Sequence, residues 1–94
     1  MEESFVPLFL EPGDRPGPPG VVVRADGSHG YLDRHGQCWR VQERECAAAP
    51  WARRDRCLVF QSTTGSGVLR RVWAVPPDWR TLDARSLDLL SERT

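Results

Sequence analysis

Five side chains in this sequence are of types that bind zinc: besides His29, they are the four candidates His35, Cys38, Cys46 and Cys57. Their spacings are H-x2-C, C-x7-C and C-x10-C, and none is the paired C-x2-C typical of structural zinc sites. Free cysteine is also among the most commonly buried residues, where it behaves as a small apolar side chain. We therefore predict no cofactor and keep a small structural zinc protein, built on these four residues, as an alternative.

Asp33, His35 and Cys38 form a local group that could in principle activate a thiol nucleophile. Their closeness in sequence places them in one tight, solvated turn, whereas a nucleophile needs a shaped site with an oxyanion donor. Asp33 is better explained as a residue that forms the turn. The chain also lacks P-loop, G-x-S-x-G and H-E-x-x-H patterns. We predict that it is not an enzyme and assign no catalytic residue.

Arginine and aromatic residues alternate at several places in the second half of the chain. Arg70 and Arg71 precede Trp73, and the Arg-rich run 53–56 follows Trp51. Trp and Arg are enriched at the energetic centres of protein interfaces, so Arg70, Arg71 and Trp73 are predicted protein-binding residues. The same residue types bind single-stranded nucleic acid by phosphate contact and base stacking. That alternative would use Arg53, Arg54, Arg56, Arg70 and Arg71.

The chain begins with a short apolar peptide, residues 5–10, joined to the rest by the Pro/Gly-rich stretch LEPGDRPGPPG. Pro7 has no amide hydrogen, so this peptide can pair only as an edge strand or bind as an extended segment. It could cover an edge of its own sheet or enter a groove on a partner. The predicted protein-binding residues of this arm are Phe5, Leu8, Phe9 and Leu10.

Composition narrows the classes of partner. Thirteen basic and thirteen acidic residues give a net charge of zero in a chain of 94 residues, so no global field would recruit nucleic acid or an anionic membrane. The six apolar residues at 5–10 are too few for a signal peptide or a membrane span. Three cysteines cannot form a complete set of intrachain disulfides. These features favour a cytoplasmic protein with reduced thiols, and the absence of Lys, Asn and Ile suggests a GC-rich, bacterial-like coding sequence.

The first elements that would position these groups are strands. Val21–Ala25 is a β-branched run that stops at the turn pair Asp26-Gly27. A hairpin then turns at residues 33–36, with Asp33 capping the turn amides and Gly36 in the left-handed position. Trp39 and Val41 alternate with polar residues, which is typical of a half-buried strand.

The second half of the chain predicts a further hairpin and a helix. Strands 57–62 and 67–75 flank the turn 63–66, and pairing Ser62 with Gly67 would place Phe60 opposite Leu69 and bury Trp73 on the same face. Trp51 is expected to enter the core from a loop. A helix is predicted from about Asp83, its N-cap, to Glu92, with Leu87 and Leu90 buried and Leu89 at the edge of the buried stripe.

The sequence thus predicts an α+β protein: a small antiparallel β-meander of four to five strands, one C-terminal helix and an extended N-terminal arm. Residues 1–20 would form the arm and linker, and residues 21–94 a single domain. The predicted function is that of a non-catalytic protein-binding module, adaptor or regulatory, which binds another protein or a second copy of itself through the arm and the Arg/Trp surface.

Overall fold

The computed structural model describes residues 12–46, 50–63 and 67–93, and over these residues the sheet has six strands. The strands follow one another in sequence order, each antiparallel to the next. They are β1 Arg15–Pro16, β2 Val21–Val23, β3 His29–Leu32, β4 Cys38–Glu45, β5 Arg56–Ser62 and β6 Leu69–Val72. A 3-10 turn at Trp79–Thr81 and the helix α1, Ala84–Leu90, complete the fold. The α+β meander with one C-terminal helix is confirmed, whereas the expected four to five strands were too few.

The additional strand comes from the Pro/Gly-rich stretch, which was predicted to be a linker. Arg15 pairs with Val23 and Pro16 with Val22 in the antiparallel ladder. Proline is tolerated here because β1 is the first strand of the sheet, where a missing amide hydrogen does not interrupt a central ladder. The backbone of Pro19 also accepts a hydrogen bond from the Ala84 amide (3.0 Å), which links this stretch to α1. The predicted arm, residues 5–10, lies outside the described residues.

The hairpin between β3 and β4 forms as predicted. Asp33 Oδ1 accepts hydrogen bonds from the amides of His35 (2.8 Å) and Gln37 (2.9 Å), and Gly36 has φ +82°. A positive φ is strained for residues with a Cβ, so glycine fits this position. The second carboxylate oxygen of Asp33 accepts from the Trp39 indole Nε1–H at 2.8 Å. This bond joins the turn to the core, because Trp39 is buried.

The predicted register of the hairpin between β5 and β6 was wrong by one residue. Phe60 pairs with Arg70 and Leu58 with Val72, and the Ser62 amide bonds the Val68 carbonyl at 2.8 Å. This register puts Val72 in the core at 0 % exposure and leaves Leu69 44 % exposed. The prediction favoured the register with more apolar residues on the Phe60 face. The Arg70 stem can nevertheless pack beside Phe60, because its guanidinium lies over the Trp39 ring, 5.2 Å from the ring centre.

The helix α1 starts where the sequence predicted. Asp83 is the N-cap, with backbone φ −77° and ψ 175°, and its side chain accepts from the Ser86 amide at 2.8 Å. Leu87 and Leu90 are buried, while Leu89, expected at the edge of the buried stripe, is 52 % exposed. The helix is short, so its buried side consists of only Leu87 and Leu90, one turn apart. Leu89 points away from that side.

The core lies between α1, the 3-10 turn and one face of the sheet. Its buried members are Val21, Tyr31, Trp39, Val41, Leu58, Phe60, Val72, Trp79, Leu87 and Leu90. Trp79 is held by Glu43, whose carboxylate accepts the indole Nε1–H at 2.9 Å. Two core tryptophans, Trp39 and Trp79, are thus each oriented by a carboxylate at the margin of the core. Within the described ranges, none of the helices has the length and apolar character needed to cross a membrane.

Candidate binding surface

The two faces of the sheet differ in what covers them. The packed face carries the core residues Trp39, Val41, Leu58, Phe60 and Val72. Neighbouring positions on each strand point to the opposite side, because side chains alternate along a strand. This second side, the open face, carries Arg40, Arg44, Val59, Leu69 and Arg71, of which four are exposed and Val59 is half-buried. Functional groups that can reach a partner therefore concentrate on the open face.

At one end of the open face, two tryptophans and an arginine form a cluster that we term the tryptophan patch: Trp51, Arg71 and Trp73. The Trp51 and Trp73 rings are 6.0 Å apart between centroids and tilted by 58°. The Arg71 guanidinium lies 4.4 Å from the centre of the Trp51 ring. Both distances are within the range of favourable aromatic and cation–π contacts. Trp51 nevertheless remains 53 % exposed, so a large apolar side chain is fixed in position outside the core.

An open groove of about 600 Å³ lies beside the patch. Its lining consists of Arg54, Asp55, Arg56, Trp73, Ala74, Val75 and Pro76. The charge of Arg56 is already compensated, since its guanidinium contacts Glu43 at 2.5 Å and Glu45 at 3.3 Å. The Trp79 indole, which donates to Glu43, is the largest of the causes that hold the pKa of Glu43 below its ordinary value, and Arg56 and Arg80 act in the same direction. Arg56 therefore contributes little net positive charge to the groove.

The structure brings together only part of the residues predicted to bind a protein. Arg71 and Trp73 share the patch, but Arg70 is on the packed face, where it pairs with Phe60. Its guanidinium lies 5.2 Å from the centre of the Trp39 ring and donates to the Ser91 hydroxyl at 3.4 Å. The remaining members, Phe5, Leu8, Phe9 and Leu10, lie outside the described residues.

The arginines of the nucleic-acid alternative do not form one continuous surface. Arg70 and Arg71 alternate between the two faces, as successive residues of a strand must. Arg53 and Arg54 are exposed in the connection before β5, and Arg56 is paired with two glutamates. Binding of a strand of nucleic acid depends on neutralising several phosphates along one track. The distribution of these cations does not provide such a track.

Two tryptophans lie elsewhere than the sequence suggested. Trp51 was expected in the core and Trp73 on the face of Phe60, yet both are on the other side of the sheet. The register explains Trp73, because the shift by one residue reverses every side chain of the last strand. For Trp51 a signal was available: it lies between Pro50 and the charged run 53–56, a setting typical of an exposed connection. Trp51 is the member of the tryptophan patch that was absent from the predicted site residues.

The four residues of the zinc alternative are separated. Cys38 starts β4 and Cys46 follows its last residue, so about 25 Å of extended strand lies between them. His35 is in the hairpin turn near Cys38, whereas Cys57 is beside Cys46. Among the residues that the structure describes, no three His, Cys, Asp or Glu side chains converge as a metal site.

Asp33, His35 and Cys38 lie in or beside the turn between β3 and β4. Asp33 uses both carboxylate oxygens to accept hydrogen bonds from Trp39 and from the turn amides. Burial alone would raise its pKa, but these hydrogen bonds outweigh it and lower the pKa. The His35 side chain is exposed in the turn. Asp33 therefore acts as a structural acceptor, in keeping with its predicted role in the turn.

Comparison with protein-family models, with curated protein sequences and with solved structures found no match to this chain.

Proposed function

We propose that this protein is a non-catalytic protein-binding module, an adaptor or regulator, and that the tryptophan patch is its main contact surface. The observation that carries the proposal is the position of Trp51. Its indole is more than half exposed, yet it is fixed by the Arg71 guanidinium at 4.4 Å and by Trp73 at 6.0 Å. A fixed, exposed tryptophan loses little conformational entropy on binding, which is a property of interface hot spots.

The charges around the patch indicate the chemistry of the partner. Arg71 belongs to the patch, Arg54 lines the adjoining groove and Arg44 lies on the same face of the sheet. The counter-charge in the groove lining is Asp55. An extended segment that presents acidic residues beside an aromatic residue or a proline would satisfy both the rings and the guanidinium groups. We propose that the partner is a protein with such an acidic–apolar segment.

The N-terminal arm is the second element of the proposal. Phe5, Leu8, Phe9 and Leu10 are apolar residues close together in the sequence, and Pro7 among them has no amide hydrogen to donate. Glu2, Glu3 and Glu11 flank them, so residues 1–11 are themselves an acidic–apolar segment. The arm would bind either a groove of the partner or the same kind of surface on a second copy of the chain. We place this module in the cytoplasm, where reduced thiols are the resting state of its three cysteines.

The test compares proteins captured from a lysate by four forms of the chain: the wild type, Trp51→Ala, Leu89→Ala and a form lacking residues 1–12. Leu89 is a matched control because it is 52 % exposed but lies on α1, away from the patch. Truncation of a hot-spot tryptophan typically costs 2 kcal/mol or more, which corresponds to about a 30-fold loss of affinity. Circular dichroism should show an unchanged fold for both substitutions.

The proposal expects one captured protein to depend on Trp51 and not on Leu89, and deletion of residues 1–12 to weaken its capture further. The binding region of that protein, recovered by cross-linking and mass spectrometry, should contain the acidic–apolar segment. If capture is the same for Trp51→Ala and for the wild type, the patch is not the contact surface. A segment of RNA recovered in place of a protein would also overturn the proposal.

A further inference from the structure

Two of the three cysteines lie against each other at the end of the β4–β5 ladder. The Sγ atoms of Cys46 and Cys57 are 3.0 Å apart. Cys57 belongs to β5, and Cys46 immediately follows β4, where its amide bonds the Asp55 carbonyl at 2.7 Å. The ladder therefore fixes both backbones, with Arg44 paired to Cys57 one step before the end. The register therefore places the two cysteines as diagonal neighbours on the same face, and their side chains span the remaining distance.

The surroundings of this pair suit a disulfide better than a metal ion. In the parts of the chain that the structure covers, no third His, Cys, Asp or Glu joins them as a ligand. A disulfide has an S–S length of about 2.05 Å, so the two sulfur atoms need to move together by only about 1 Å. Cys38 is at the other end of β4 and cannot compete for either thiol. The pair is thus separated from the remaining cysteine by the full length of a strand.

We propose that Cys46 and Cys57 form a reversible intrachain disulfide, with a low-molecular-weight disulfide as the oxidant. The Cys46 thiolate attacks one sulfur of the external disulfide, which forms a mixed disulfide and releases one thiolate. The Cys57 sulfur then loses its proton, attacks the Cys46 sulfur and expels the second external thiolate, which accepts that proton. Two protein thiols are oxidised and one external disulfide is reduced to two thiols.

The order of attack follows from exposure. Cys46 retains 7 % of its surface, whereas Cys57 is fully buried, so an external reagent can reach only Cys46. Burial and the neighbouring Cys46 raise the pKa of the Cys57 thiol to about 11, although Arg71 and Arg44 act in the opposite direction. The closing step needs the Cys57 thiolate, and little of it is present near neutral pH. Disulfide formation should therefore accelerate as the pH rises. The buried position also protects the product from non-specific reduction.

The disulfide would act directly on the tryptophan patch, an effect that rests on the function proposed above. The chain between the two cysteines, residues 46–57, carries Trp51. A cross-link at both ends of this segment restricts its conformations, so the oxidised protein should hold Trp51 more firmly against Arg71 and Trp73. The patch would then bind its partner with a smaller loss of entropy. Oxidation is thereby proposed to strengthen binding.

The test uses the full chain with Cys38→Ser, so that only the pair is present, and glutathione buffers of increasing oxidation. Intact mass should show loss of two hydrogen atoms, and peptide mapping should identify a Cys46–Cys57 bond in the folded protein. The matched control, Cys38→Ser with Cys57→Ser, should stop at the glutathione adduct of Cys46. A folded Cys38→Ser protein that remains reduced, or that stops at the same adduct, would refute the disulfide.

Hydrogen exchange then measures the effect on the patch without a partner. The amides of residues 51–55 should exchange at least about fivefold more slowly in the oxidised form than in the reduced form. Unchanged exchange would overturn the coupling to Trp51, even if the disulfide forms. These outcomes are separate from the fate of the proposed function, which depends on whether Trp51→Ala abolishes capture of a partner by the reduced protein.

Discussion

The hydrogen bond between Asp33 and Trp39 gives a quantitative test of how the turn supports the core. In the variant Asp33→Asn, the amide oxygen can still accept from the His35 and Gln37 amides, as Oδ1 does now. The amide nitrogen, however, replaces Oδ2 and presents a donor to the Trp39 indole N–H, which now donates at 2.8 Å. A buried donor is then left facing another donor.

The expected cost follows from the type of bond that is lost. A hydrogen bond to a charged acceptor contributes about 1.5–3 kcal/mol, and a buried donor left without an acceptor costs about 1–3 kcal/mol. Because these two ranges describe overlapping parts of the same change, we expect Asp33→Asn to lower the free energy of unfolding by about 2–3 kcal/mol. A domain of this size has about 5–14 kcal/mol of stability, so the variant should remain folded.

A double-mutant cycle with Trp39→Phe isolates the indole bond from the turn. In the Trp39→Phe background the donor is gone, so Asp33→Asn should cost only the weakened turn bonds, about 1 kcal/mol. The coupling energy is then about 1–2 kcal/mol. The measurement is urea unfolding followed by far-ultraviolet circular dichroism. Tryptophan fluorescence is less suitable because Trp39→Phe removes one of the tryptophans. A coupling energy below about 0.5 kcal/mol would show that the indole bond adds little to stability.

Three further predictions concern stability. Burial, with Arg80 and Arg15 nearby, lowers the pKa of His29, so the folded state binds fewer protons than the unfolded state and stability should fall as the pH decreases below about 6.5. His29→Gln should flatten this dependence between pH 7.5 and 5.5, and an unchanged slope of stability against pH would contradict the prediction. Glu43→Ala should cost about 2–3 kcal/mol in urea unfolding because it removes the acceptor of a core indole. Glu45→Ala, at a side chain that is 78 % exposed, should cost less than about 0.5 kcal/mol, and similar values for the two variants would contradict the role of the Glu43 carboxylate. The β5–β6 register predicts that Val72→Ala costs about 2 kcal/mol and Leu69→Ala less than about 1 kcal/mol, and the opposite order would favour the register shifted by one residue.

The features that the sequence predicted correctly are encoded locally. The turn at Asp33 and Gly36 depends on a carboxylate and a glycine within four residues, and both have the expected geometry. The N-cap at Asp83 needs only one side chain and an amide three residues later. Alternation along β4 identified Trp39 and Val41 as buried. In each case the interaction partners are neighbours in sequence, so residue types and spacing were sufficient.

Residue types and spacing identified only some of the residues of the proposed binding surface. The sequence indicated Arg71 and Trp73 as interface residues because of their types, and the structure brings them together with Trp51. Whether Arg70 or Arg71 joins that surface depends on a register set by packing across β5 and β6, and one residue of shift exchanges the two faces. The sequence gives the chemical type of each residue, but it does not determine on which face of the sheet the side chain lies.

By itself, then, the sequence determined the antiparallel meander, the first hairpin turn and the start of the helix, because these follow from short-range rules. The tertiary structure decided that Arg15–Pro16 is a strand, that Val72 rather than Leu69 is in the core and that Cys46 meets Cys57. Each of these depends on pairing between distant parts of the chain. Such pairing is selected by the total burial and hydrogen bonding of the whole sheet, which no short segment contains.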